Sequence, residues 1–151
     1  MKAKGFSLIE LMIVVAIIAF LAMVSIPSFK RFLYKCKRSE AYMNLHAIYA
    51  AQKSYWAEHG RYSDALNGEN SIGWKPEGAI YYTYGFANGA EGKNYFVGSL
   101  GTPSSALSDA KASENSFVVV AAGDIDGDGS PDILTIDENN NIVIVKDDLA
   151  D

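Results

Sequence analysis

A chain of 151 residues, 49% of them apolar and with a formal charge of −5, holds the material for one modest domain and one hydrophobic segment, not for two full domains. The negative sign disfavours nonspecific nucleic-acid binding by the body of the protein. One cysteine, Cys36, cannot form an internal disulfide, and without a CxxCH there is no c-type haem site; a lone cysteine is expected to be a small buried apolar residue.

The chain opens with Lys2 and Lys4 and passes into "KGFSLIELMIVVAII", Lys4 to Ile18. From Leu11 to Phe29 there is no charge, and about 20 apolar residues span a bilayer as a helix. A membrane-spanning helix is therefore expected over 6–29, because a secretory signal would have a shorter apolar core and a small-residue cleavage site. Glu10 is the exception within it. A charge at the centre of such a helix costs about 2.5–3.5 kcal/mol on insertion scales, and less near an end. Two readings stay open on these grounds: Glu10 reaches the headgroups from a helix end, or it has a cationic partner. A cut between Gly5 and Phe6 would put Glu10 in the first turns of a new helix, where the helix dipole favours an anion. It would also create an amine on Phe6 of matching burial.

Pro27 has no amide proton, and its ring crowds the carbonyl of Met23, which predicts a kink. Beyond it, Ala41, Leu45, Ile48 and Tyr55 recur at steps of three, four and seven, while Glu40, Asn44, Lys53 and Glu58 fall elsewhere. Residues 30–60 thus read as an amphipathic helix ended by Gly60. Phe6 to His59 would be one helix of roughly 80 Å at 1.5 Å per residue. Lys30, Arg31, Lys35, Lys37 and Arg38 cluster just past the apolar run and suit headgroups or acidic neighbours. By the rule that the richer basic flank stays cytoplasmic, the cluster argues against an outward-facing domain. Phe29, Phe32, Tyr34, Tyr49, Tyr55 and Trp56 are read as packing between helices and between helix and sheet. His46 and His59 have no matching cysteine or carboxylate cluster, and no catalytic constellation is visible.

After Gly60 the composition turns to Gly, Ser, Asn and aromatic residues. Apolar or aromatic runs at "AIYYTYGF", "NYFVGSL", "SFVVVAAG", "DILTI" and "NIVIV" predict four or five short antiparallel strands, with "DENNN" as a hairpin turn. "GTPSSALSDAKASENS" reads as a polar surface loop. The expected class is α+β, a long N-terminal helix whose outer half packs on a small antiparallel sheet in the head, 61–151.

"GDIDGDGSPDI" places Asp124, Asp126, Asp128 and Asp132 at loop positions one, three, five and nine, with Gly129 at the turn and Ser130 offering its carbonyl. Hard oxygen ligands at this spacing suit Ca²⁺. Position twelve is Thr135 where an EF-hand needs glutamate, so a calcium loop between strands, 124–132, is expected instead of a helix-loop-helix. It would fasten the C-terminal strands much as a disulfide does. The competing reading is a solvated acidic turn.

The stretch from Lys4 through Pro27 resembles the prepilin signature of type IV pilins: a short basic leader, Gly, Phe, a glutamate shortly after, and an unbroken apolar span. "RSEAYMNLHAIYAAQKSYWAEHGRYS" resembles bacterial type IVa pilins, and beyond about Tyr62 only a general pilin-like pattern of strands remains. The resemblance implies a leader over 1–5, cleavage after Gly5 by a prepilin peptidase, N-methylation of Phe6, and assembly into a helical homo-oligomeric filament through the N-terminal helices. Glu10 would neutralise the Phe6 amine of a neighbouring subunit. It implies a pilus assembly platform and ATPase as partners, and a passage from the bacterial inner membrane, as a single-pass precursor with its domain outside, to the cell surface. The role implied is structural, not enzymatic. Alternatives within the resemblance are a type II secretion pseudopilin, although no DPWG-like segment is present, and a minor pilin for adhesion or DNA uptake. Ala19 stands where many pilins have glycine, and alanine holds helix better by about 1 kcal/mol. The C-terminal cysteines that clasp many pilins are absent.

Overall fold

The computed structural model describes residues 5–150. The leader residues Met1 to Lys4 lie outside the described residues. Helix α1, Leu8–His59, is followed by strands β1 (Thr83–Gly85), β2 (Tyr95–Phe96), β3 (Lys111–Ala112), β4 (Phe117–Gly123), β5 (Asp132–Asp137) and β6 (Ile142–Lys146). By its internal contacts the chain divides between Leu33 and Tyr34 into two compact units.

The first unit holds the N-terminal part of α1. Its apolar side chains have no cover: Leu8 is 78% exposed, Phe20 68% and Met23 74%. The helix is unbroken through Pro27, where the ring removes the donor to the Met23 carbonyl. At the next residue, the Ser28 hydroxyl donates to the Val24 carbonyl at 3.3 Å.

The second unit is the α+β head. On α1 the buried residues are Ala41, Leu45, Ile48, Gln52 and Tyr55, spaced four, three, four and three, so they form one stripe of the helix. The stripe packs on Tyr82, Tyr84, Phe117, Val119, Ala121, Leu134 and Ile136 from the sheet. Gln52 is the polar member, and its amide both donates to the Ser63 carbonyl (2.6 Å) and accepts from the Ser63 N–H (3.1 Å), leaving nothing unpaired. Gly60, at φ 68°, ends the helix in the left-handed conformation that glycine adopts without penalty.

The sheet runs β2-β1-β4-β5-β6, with β3 also paired to β4, and every ladder is antiparallel. The hairpin at Asp137–Asn141 is built as expected, with the Asp137 carboxylate accepting from the N–H groups of Asn139 and Asn141. Central strand β4 is covered on both faces. Val119 and Ala121 meet the helix side; Val120 and Ala122 meet Leu107 on the other.

This cover corrects the expectation of a polar surface loop over "GTPSSALSDAKASENS". That stretch forms a 3₁₀ turn at Ser104–Leu107 and strand β3, and Leu107 is fully buried. The physical reason is in β4: "FVVVAAG" does not alternate with polar residues, so both of its faces must be shielded from water. A second correction concerns Cys36, which is exposed. It lies about 140° around the helix from Ala41, away from the buried stripe. Phe29 and Phe32, expected in packing, are 62% and 63% exposed, whereas Tyr55 is buried and Trp56 stacks beside Tyr62.

Leu45 is fully buried at the helix–sheet contact. Leu45→Ala is expected to cost about 2–5 kcal/mol, read as a lower urea midpoint in the fluorescence of Trp74, which sits in the same core.

Candidate functional site

Two places carry chemistry. At the start of α1, Ser7 caps the helix: its hydroxyl accepts from the Glu10 N–H at 3.3 Å, while the Glu10 carboxylate accepts from the Ser7 N–H at 2.9 Å and the Ser7 hydroxyl at 2.8 Å. This is a capping box, in which residue and cap satisfy each other's free donors. Both bonds to Ser7 use Oε2 of Glu10. Oε1 makes no hydrogen bond among the described residues. Ser7 was not singled out from the sequence, although "SLIE" is the S-x-x-E signature of such a cap. Gly5 and Phe6, where processing is expected, are exposed.

The second place is the loop between β4 and β5. Its carboxylates fold back on their own backbone: Asp124 accepts from Gly127 (2.8 Å) and Gly129 (2.9 Å), Asp126 from Asp128 (3.0 Å), and Asp128 from Ser130 (2.7 Å). Gly127 and Gly129, at φ 86° and 87°, allow the tight course. One carboxylate oxygen from each of Asp124, Asp126, Asp128 and Asp148 lies within 4.8 Å of the other three. A Ca²⁺ ion with ligands at about 2.3–2.6 Å needs its oxygens within roughly 5 Å of one another. The donor set therefore fits a hard divalent cation. Asp148, from the C-terminal segment, was not anticipated, and nothing local in "KDDLAD" marks it.

Burial raises the pKa of Asp148, and the charges of Asp126 and Asp128 add to the rise, against the lowering effect of the Ile125 N–H that its carboxylate accepts at 2.8 Å.

Asp132 is not part of this cluster, which corrects its expected place among the ligands. It is fully buried and its carboxylate is spoken for. Arg38 donates to it through Nε (2.9 Å) and Nη2 (2.7 Å), the Tyr82 hydroxyl donates at 2.7 Å, and the Asp148 N–H at 3.2 Å. The cause is strand periodicity. Asp132, Leu134 and Ile136 share the inner face of β5, so the carboxylate points into the head and requires donors there. Arg38 also pairs with Asp147. Burial alone would lower the guanidinium pKa, but its bonds to Asp147 and Asp132 outweigh that and drive it upward. Arg38 in turn holds the Asp147 carboxylate below its ordinary value, and burial with the bond to Asp132 pushes the Tyr82 phenol up. Arg38 on α1 thus ties the start of β5 and the C-terminal segment to the helix. Ser130 lies at the edge of the loop with its N–H turned to Asp128, and Thr135 pairs within the sheet.

Residues 1–26 match the prokaryotic N-terminal methylation motif. The N-terminal part of the chain is similar to that of type IV pilins. It is 52% identical over 83 residues to the type IV major pilin protein PilA of Myxococcus xanthus, a stretch that makes up 55% of this chain and 36% of that one. It is similar to the type IV major pilin protein PilE1 of Neisseria gonorrhoeae, 38% identical over 61 residues, 40% of this chain and 37% of the relative. A third relative is the fimbrial protein EcpC of Eikenella corrodens, 39% identical over 57 residues, 38% of this chain and 37% of that one. In each case the match covers little more than a third of the relative's length. The long helix and small antiparallel sheet are consistent with the α+β arrangement of pilins.

Arg38→Met leaves the buried Asp132 charge without its partner and is expected to destabilise the head by about 3–5 kcal/mol. Arg38→Met combined with Asp132→Leu should recover only part of that loss, since Tyr82 and the Asp148 N–H then lack an acceptor. Chemical denaturation of the three variants checks both statements.

Proposed function

We propose that the chain is a structural, non-enzymatic subunit of a type IV pilus, made as a single-pass membrane precursor, cut after Gly5 by a prepilin peptidase, methylated on Phe6 and assembled into a surface filament. The observation that carries this reading is the pairing of an uncovered apolar helix with one carboxylate at its start. The capping box survives the cut, because the N–H of Ser7 belongs to the bond between Phe6 and Ser7. Glu10 is therefore held in place in the free subunit with Oε1 open, and the amine of Phe6 on a neighbour supplies the matching cation. Strains carrying Glu10→Ala should assemble few filaments while still accumulating subunit. Mass spectrometry of the wild-type subunit should find a chain beginning at Phe6 and one methyl group heavier than the unmodified peptide. Normal fibre number and length in the variant, or a subunit beginning at Met1, would reject the proposal.

We propose further that Asp124, Asp126, Asp128 and Asp148 hold Ca²⁺. When bound, the cation supplies the positive charge that four converging carboxylates lack, and it joins the loop to the C-terminal segment. In the full-length chain in detergent, calcium in place of a chelator should raise the melting temperature, by the equivalent of about 2.7 kcal/mol at a hundredfold excess over Kd. Asp126→Asn with Asp128→Asn should remove the rise. Equal melting with and without calcium in the wild type counts against the site.

A further inference from the structure

Of the basic cluster after the apolar run, Lys37 and Arg38 are held by the head, while Lys30 and Arg31, and Lys35 beyond them, stand exposed. Lys37 donates to the Ile125 carbonyl at 3.3 Å and lies 5.7 Å from the ring centres of both Tyr34 and Tyr81, and Arg38 is committed to Asp132 and Asp147. These two serve the head. Lys30 and Arg31 belong to the N-terminal helical unit, are exposed, and make no hydrogen bond or ion pair among the described residues.

Their neighbours are apolar and equally uncovered: Phe29, Phe32 and Leu33 are 62%, 63% and 43% exposed. At about 100° per residue, Phe29, Phe32 and Leu33 fall within one arc of the helix and Lys30 and Arg31 outside it. The uncharged stretch between Glu10 and Lys30 rises about 30 Å, the thickness of a bilayer's hydrocarbon core. The turn holding Lys30 and Arg31 therefore falls where the hydrocarbon ends and the phosphates begin. At that depth the phenylalanine rings bury in the outer hydrocarbon, and the long cationic side chains reach outward from it to the headgroups.

We propose that Lys30 and Arg31, framed by Phe29 and Phe32, form a docking surface for anionic phospholipid headgroups that holds the subunit at a fixed depth in the membrane. The proposal rests on the membrane insertion given above. Its ligand class is the anionic phospholipid, recognised by the charge of its headgroup against the exposed cations Lys30 and Arg31.

The full-length chain is reconstituted in mixed bilayers of phosphatidylcholine and phosphatidylglycerol, and spin-labelled versions of each lipid report the fraction held at the protein surface. At low salt the wild type should prefer phosphatidylglycerol, and each charge removed should cost up to about fivefold in relative association. Lys30→Gln with Arg31→Gln should bring the two lipids close to parity, whereas Lys30→Arg with Arg31→Lys should keep the preference. Raised salt should weaken it in the wild type. Equal association of both lipids with the wild type overturns the proposal alone. So does a preference that survives removal of both charges, and so does a double glutamine variant that changes only self-association. A chain that fails to enter bilayers of either composition overturns the membrane reading and this proposal with it.

Discussion

An apolar helix whose large side chains stand uncovered among the described residues cannot stay in water, and the design of the N-terminal unit follows from that constraint. Sixteen large apolar side chains between Phe6 and Phe29 stand exposed. Each is worth about 1.5–3 kcal/mol when fully removed from water, so the total is tens of kcal/mol. The cost of carrying one carboxylate into hydrocarbon is about 2.5–3.5 kcal/mol at most on insertion scales. Lipid or other helices must therefore cover this surface, and Glu10 is a minor opposing charge placed where its cost is smallest. The capping box reduces that cost further by giving the carboxylate two donors within its own turn.

The head follows a different logic. Its helix stripe is apolar apart from Gln52, but the sheet brings one carboxylate side chain, Asp132, fully inside. A buried carboxylate is tolerable only when donors saturate it. Arg38, Tyr82 and the Asp148 N–H do so from the helix, from β1's approach and from the C-terminal segment. The arrangement spends one acidic group to fix three separate parts of the chain. It also orients Asp148, because the same residue that gives its N–H to Asp132 turns its carboxylate toward the loop.

Much of this was legible in the residues. The period of Ala41, Leu45, Ile48 and Tyr55, the stop at Gly60 and the hairpin at Asp137–Asn141 are local signals, and the structure follows them. Three kinds of feature were misread or missed. Leu107 was hidden in a polar stretch, yet the unbroken apolar run of β4 announced that something must cover its second face. Asp132 was placed by loop spacing, while the alternation of "DILTID" assigned it to the inner face and carried more weight. The partnership of Arg38 with Asp132 and Asp147, and the approach of Asp148 to the loop, join residues far apart in the chain. No local pattern encodes such meetings; they emerge only when the sheet has formed against the helix.

The tie made by Arg38 also has a bearing on where the head can fold. Because its C-terminal segment is held by charge and hydrogen bonding, with Cys36 as its lone sulfhydryl, the head needs no oxidant to complete itself. Its closure at the C-terminal segment depends on charge and packing, not on a sulfur bridge.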